Sequence, residues 1–166
     1  MNSEISLILH KAKVDKGINS KYLKALRLHN KSVYLNELKN IHEGVFSKTD
    51  CLECANCCKT TPPIIKQNDI TRIAKYLGDT TKQFAKKYVI TDVDGTMVFN
   101  VVPCRFLAPN NKCQIYDVRP EACKSYPHTD DDAYFSRTTL NINNTMVCHA
   151  AYTILERLKN SLPIEI

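Results

Sequence analysis

Cys51-Leu-Glu-Cys54-Ala-Asn-Cys57-Cys58 crowds four thiols into eight residues, and four more follow at Cys104, Cys113, Cys123 and Cys148. A two-residue gap lets both sulfurs of a C-x2-C turn converge on one ion, which is why the spacing recurs in zinc ribbons and iron–sulfur proteins. Soft thiolates select zinc, Fe–S clusters or Cu(I) and disfavour Mg, Ca and Mn. Four thiolates close one tetrahedral site and eight could close two. The neighbours Cys57 and Cys58 do not chelate one small ion comfortably, so they are expected to serve different sites. The run C-x2-C-x2-C opens like a bacterial ferredoxin motif, yet the x3 gap and the following Cys-Pro are missing because Cys58 comes at once. The bland alternative is that some of the eight are inert core residues, since reduced Cys is commonly buried.

Around the thiols stand residues that could tune such a centre. A zinc ion with four thiolates carries a charge of about −2, and a guanidinium from Arg119 or Arg105 would offset it while donating hydrogen bonds to sulfur. Arg119 could equally pair with Asp117 or Glu121. Tyr116 and Phe106 are expected to pack against the site. His128 precedes Asp130, Asp131 and Asp132, a combination able to orient an imidazole or bind a hard cation, although a solvated turn explains it as well. His149 adjoins Cys148 as a substitute ligand. No acid/base pair, Ser-His-Asp arrangement or phosphate loop emerges, so no catalytic residue is assigned. A nucleophilic cysteine beside His128 or His149 is the one alternative, disfavoured because metal-bound thiolates do not react as free ones.

The bulk properties narrow the field. The chain has 166 residues, 43% hydrophobic and 24% charged, with four glycines. That matches a globular protein and excludes disordered, collagenous and membrane-spanning classes. The N-terminal apolar stretch Ile5 to Leu9 is too short for a secretory leader and lacks basic residues before it, and no segment approaches ~18 consecutive apolar residues. The expectation is a cytoplasmic protein, whose clustered cysteines stay reduced and bind metal or act in redox chemistry. The formal charge of +6 comes from scattered Lys and Arg. It reads as a solvated basic surface, so neither nucleic acid nor membrane is expected as a partner.

The elements that must position the thiols read as α+β and mostly helical. Tyr22, Leu23, Ala25 and Leu26 keep helical spacing over 19–30, and Tyr34, Leu38, Ile41 and Val45 form a second stripe with Ser32 as its N-cap. Ile70, Ile73, Ala74 and Leu77 predict a helix ended by Gly78, and Thr80 with Gln83 form a capping box opening a short helix with Phe84 and Tyr88. This helical pair resembles a DNA-reading helix-turn-helix, but its second helix offers lysines and only Gln83 as a base reader. Residues 88–102 around Asp94-Gly95 predict a β-hairpin, and Asn110-Asn111 between Cys104-Arg-Phe-Leu and Cys113-Gln-Ile-Tyr a second. Pro120 suits the first position of a helix carrying Cys123. A C-terminal helix is expected over 145–158, with Ala151, Ile154, Leu155 and Leu158 on one face and Cys148 in its first turn. The organisation expected is an N-terminal helical segment, 1–49, and a metal-organised cysteine-cluster domain, 50–160.

The chained order Cys51-x2-Cys54-x2-Cys57-Cys58, Cys104-Arg-Phe-Leu, and Cys113-Gln-Ile-Tyr-Asp-Val-Arg-Pro-Glu-Ala-Cys123 with Tyr126-Pro127 resembles the YkgJ-type cysteine-cluster family. That family is described as zinc- or iron-chelating and is often labelled Fe–S-cluster-containing; the resemblance covers about 50–158. It implies that Cys51, Cys54, Cys57, Cys58, Cys104, Cys113, Cys123 and Cys148 surround metal. A flagellin lysine-N-methylase branch looks similar in its cysteines, but this chain shows no glycine-rich nucleotide loop for a methyl donor. Two function classes follow: a zinc, iron or iron–sulfur protein with oxidoreductase-like character and an unidentified partner or substrate, or a zinc-stapled interaction module without chemistry.

Overall fold

The computed structural model describes residues 3–28 and 31–164, with the elements α1 (Ser3–Val14), α2 (Lys16–Leu26), α3 (Lys31–Phe46), α4 (Cys51–Cys54), α5 (Asn56–Thr60), α6 (Gln67–Leu77), α7 (Thr81–Tyr88), β1 (Val89–Thr91), β2 (Met97–Phe99), α8 (Glu121–Lys124), α9 (Thr138–Thr145) and α10 (His149–Ser161). Helix accounts for 61% of the protein beside one two-stranded sheet, the mostly helical α+β class read from the sequence. The chain divides into two compact units, Met1–Cys54 with Pro127–Ile166, and Ala55–Tyr126. This differs from the expected segments 1–49 and 50–160. Residues 127–166 return to the N-terminal helices because the apolar face of α10 finds its partner there.

In the first unit Ala150, Ile154, Leu155 and Leu158 of α10 share one core with Leu38 and Val45 of α3 and Tyr22, Leu23 and Leu26 of α2, and Ala151 of the expected stripe is buried as well. Removing each such Leu or Ile from water stabilises by about 1.5–3 kcal/mol. Tyr22 Oη donates to the carbonyls of Leu158 and Leu162 at 3.1 and 3.0 Å, tying α2 to the end of α10. Ile5, Leu9 and Ala12 are buried along α1, so the stretch considered above only as a leader is an amphipathic helix. Two local expectations shift. Ser32 lies inside α3 instead of capping it, and position 30 lies outside the described residues. The C-terminal helix is broken at 146–148, so Cys148 is the N-cap of α10 and not part of its first turn.

The second unit is built on the α6–α7 pair. Gly78 ends α6 with φ 74°, a left-handed conformation that glycine adopts without a Cβ penalty, and Thr80 and Gln83 cap α7 reciprocally (Gln83 N to Thr80 Oγ1 3.3 Å, Thr80 N to Gln83 Oε1 3.0 Å). Ile70, Ile73 and Ala74 are buried; Leu77, the last residue of the expected stripe, is exposed. Phe84, Tyr88, Phe99 and Phe106 form an aromatic core, with the Phe106 ring 5.1 Å from Tyr88 and 5.3 Å from Phe99. Strands β1 and β2 pair antiparallel, Ile90 opposite Val98. Residues 92–96 connect them, and the Asp92 amide donating to the Thr96 carbonyl at 2.9 Å leaves a three-residue tip, 93–95, in place of the two-residue turn expected. Asp92 Oδ1 accepts the amides of Asp94 and Thr96 at 3.0 and 2.9 Å, and Gly95 supplies the left-handed residue (φ 79°). The second predicted hairpin is a single bridge, Leu107 to Cys113, closed by the same loop geometry with Asn111 left-handed at φ 63°.

Candidate metal centre

No disulfide joins any of the eight cysteines. The unit boundary falls between Cys54 and Ala55, inside the motif, so Cys51, Cys54 and Cys148 belong to the first unit and Cys57, Cys58, Cys104, Cys113 and Cys123 to the second.

In the second unit each thiol is delivered by a different local device. Cys58 sits on α5, and its carbonyl accepts the amide of Cys104 at 2.7 Å, which brings the 104 segment beside the motif. Cys104 begins a turn closed by Leu107 N–H to Cys104 O at 3.0 Å, and the amides of Phe106 and Leu107 favour its thiolate. Cys113 ends the bridged loop, and the Ile115 amide acts on its sulfur in the same way. Pro120 precedes α8 as its N-cap, one position earlier than expected, and its carbonyl accepts the amide of Cys123 at 2.9 Å. These backbone donors point at sulfur where negative charge would reside, which lowers the cost of holding thiolates together.

The four thiols feel one another. Burial pushes the Cys123 thiol up to about 12, aided by the charges of Cys58, Cys104 and Cys113. Cys104 is raised by burial and then by Cys58 and Cys113, and Cys113 by burial and then by Cys58. Cys58 is raised first by its hydrogen bond with Cys57, whose sulfur is 4.0 Å away, then by burial. Four half-buried groups that oppose each other's ionisation are a donor set suited to a soft dication, which would replace their protons and reverse that repulsion. Among the described residues no three His, Cys, Asp or Glu side chains already converge on one point, so closing on an ion requires the sulfurs to draw in.

Positive charge is supplied from close by. The Arg119 guanidinium lowers the pKa of both Cys113 and Cys123, while Lys59 lowers that of Cys58. Arg119 is held by Nη1 donating to Tyr116 O at 2.7 Å and by stacking 3.8 Å over the Tyr116 ring; Glu121 pairs with Lys124 instead. Tyr116 is therefore an exposed platform for Arg119 and not a residue packed into the site, whereas Phe106 is buried as expected. The charge of Arg105 bears on Lys87.

The first unit carries a smaller set. Cys54 is buried between Ile5 and Leu9 of α1, Cys51 is exposed three residues earlier on α4, and Cys148 caps α10. Burial pushes Cys148 up to about 11 with help from Cys51 and Cys54; it makes no short cap hydrogen bond, but the Ala151 and Ala150 amides favour its thiolate. His149 is lowered by burial and raised by Glu4 and Glu53. His128, left-handed at φ 63°, stands in a structural loop: Asp131 binds the Ala133 amide and Arg137, both at 2.7 Å, and Asp132 pairs with Lys39 at 3.0 Å.

Two residues that the sequence did not single out touch this chemistry. Asp69 is buried at the start of α6, and Arg72 lies one turn on; together they bind the chain at 118–121. An acid in a helix's first turn reads as an ordinary dipole partner, so no local signal announced a contact some fifty residues away.

A family model described as "CxxCxxCC: Putative zinc- or iron-chelating domain" matches residues 50–149. An uncharacterized protein of Methanocaldococcus jannaschii, MJ0661, is 32% identical over 82 residues, which are 48% of this chain and 44% of that protein. The chain thus spans less than half the length of that curated relative. No solved structure matches.

Proposed function

The chain belongs to the CxxCxxCC family of zinc- or iron-chelating domains, and from that premise we propose that it is a metal protein whose main centre is formed by Cys58, Cys104, Cys113 and Cys123. The observation that carries this reading is that one unit gathers the four half-buried cysteines: the Cys104 amide donates to the Cys58 carbonyl at 2.7 Å, the Leu107–Cys113 bridge folds Cys113 back toward Cys104, and each of Cys104, Cys113 and Cys123 carries the field of Cys58. Four thiolates fill a tetrahedral shell, the arrangement of a closed centre. Zinc bound there supplies folding energy on the order of 10 kcal/mol, and iron in the same shell adds one-electron chemistry. The residues around the centre do the rest: Arg119 and Lys59 offset the thiolate charge, and Phe106 walls the aromatic side.

The role supported best is a metal staple for residues 55–126. An oxidoreductase-like role is the second reading, favoured by the amide contacts to sulfur, which tune the potential of iron–thiolate centres. Cys51, Cys54 and Cys148, with His149 beside them, are a second soft-donor set in the first unit. The test is metal content of full-length protein purified without oxygen, beside Cys123→Ser and Cys113→Ser. Loss of zinc or iron with a lower melting temperature is expected of both variants. Full metal content in both would remove the four-thiol centre.

A further inference from the structure

We infer that Asp69 and Arg72 are positioning residues for the metal centre, fixing the chain between Cys113 and Cys123 so that Cys123 faces the other thiols. This rests on the four-thiol reading just proposed and adds to it two residues outside the cysteine motifs.

The segment in question cannot hold itself. Helix α8 has four residues, too few to be stable alone because nucleation costs more than one turn returns. It carries Cys123 as its third residue and is entered from Val118, Arg119 and Pro120. From α6 a single ion pair reaches across to it. Asp69 Oδ1 accepts the amide of Glu121, the first residue of α8, at 3.1 Å, and also Arg72 Nη2 at 2.6 Å. Arg72 Nη2 donates on to the Arg119 carbonyl at 2.8 Å, and its Nε to the Val118 carbonyl at 3.3 Å. The second carboxylate oxygen accepts the amide of Lys66 at 3.0 Å, locking Asp69 to the start of its own helix.

One carboxylate and one guanidinium therefore set three main-chain groups within four residues, all just before Cys123. Charge-assisted bonds of this kind are short and directional, and a fork-shaped guanidinium can hold two carbonyls where an ammonium holds one well. The platform is rigid, because Ile70, Ile73 and Ala74 of α6 are buried in the core beside Asp69. Arg119 belongs to the same clamped stretch, so the clamp also sets where its charge falls relative to Cys113 and Cys123.

The test uses the full chain loaded with cobalt(II) alone, which reports thiolate ligation through its sulfur-to-metal and ligand-field bands. Asp69→Asn, Arg72→Gln and Arg72→Lys are compared with Thr80→Ala, which removes the N-cap of α7 in the same unit at the opposite end of α6 from the clamp, at a temperature where all are folded. Asp69→Asn and Arg72→Gln are expected to release metal to a chelator about tenfold faster than the parent, the factor for one lost charge-assisted bond. Their ligand-field bands should change, with Arg72→Lys intermediate. Thr80→Ala should lower the melting temperature and leave bands and release unchanged. Because Arg72 is partly exposed, its variants keep the test open if Asp69→Asn fails to fold. Parent-like bands and release in both Arg72 variants would overturn the clamp while leaving the four-thiol centre standing. A parent chain showing no four-sulfur cobalt spectrum would remove that centre and the inference with it.

Discussion

Cys148 can be tested for two jobs that a pair of substitutions separates. As N-cap of α10 its sulfur lies toward the Ala150 and Ala151 amides, and it also packs on the first unit's core. As a soft donor it would join Cys51 and Cys54. Serine keeps, and improves, the capping group, since a hydroxyl at this position is a preferred partner for the N2 and N3 amides. It loses the soft donor. Alanine loses both. Losing a cap costs about 0.5–2 kcal/mol, and thiol is a weak acceptor, so the low end applies to the sulfur. The buried sulfur adds a packing term of similar size. In metal-free protein Cys148→Ser should therefore lie within about 0.5 kcal/mol of the parent, because a better cap offsets lost packing, and Cys148→Ala about 1 kcal/mol below it. For a unit of this size the latter lowers the melting temperature by roughly 4–8 °C. In metal-loaded protein both variants should lose the ion of the first unit and fall together. The assay is denaturant unfolding of stripped and reloaded protein, with metal counted on each sample. Parent metal content in both variants would refute the donor role, and equal destabilisation by Ser and Ala in the stripped protein would refute the capping role.

Asp69 predicts acid sensitivity of the second unit. Burial raises its pKa, but the Lys66 amide, Arg72 and the Glu121 amide outweigh that and hold the carboxyl below the usual range. The stability it contributes is present above the unfolded pKa of about 3.9 and lost as pH falls through the lower folded value. Unfolding of stripped protein followed from neutral pH downward should be less steep below pH ~4 in Asp69→Asn than in the parent, and equal slopes would contradict the linkage. Arg119→Ala should speed metal loss to a chelator more than Lys86→Ala, as its charge favours the Cys113 and Cys123 thiolates; equal rates would leave Arg119 a surface residue. Cys54→Ser should lower metal content and melting temperature together, and retention of both would leave Cys54 as a packing residue between Ile5 and Leu9.

Local chemistry was legible in the sequence and long-range chemistry was not. Gly78 as a helix stop, the Thr80–Gln83 box, the hairpin around Asp94-Gly95 and the stripe of α10 are each set by residues a few positions apart; all four are present, the hairpin with one more residue at its tip than a two-residue turn. The stretch Ile5 to Leu9 reads as a short apolar run at the N-terminus, whereas its helical stripe appears only when Ala12 is added to Ile5 and Leu9. Helix α10 starts at His149 and ends at Ser161, displaced toward the C-terminus from the expected 145–158, because the chain turns at Met146 and Val147 before Cys148. The motif itself reads as one cluster along the chain. Its division between two units at Cys54 depends on where residues 127–166 pack, which no spacing within the motif encodes. The Asp69–Arg72 clamp and the seat of Arg119 over Tyr116 were invisible for the same reason, since their partners lie elsewhere in sequence or on an exposed ring.

The central claim is that four thiols of the second unit share one ion, and X-ray absorption at the zinc or iron edge reads it directly. The sample is anaerobically purified Cys148→Ser protein, in which the first unit's donor set is broken. The account predicts about one tightly held zinc or mononuclear iron per chain with a first shell of sulfur alone, near 2.3 Å for zinc, or iron with sulfide if a cluster fills the site. A first shell of nitrogen and oxygen, or protein that retains no metal while its thiols remain reduced, would contradict it.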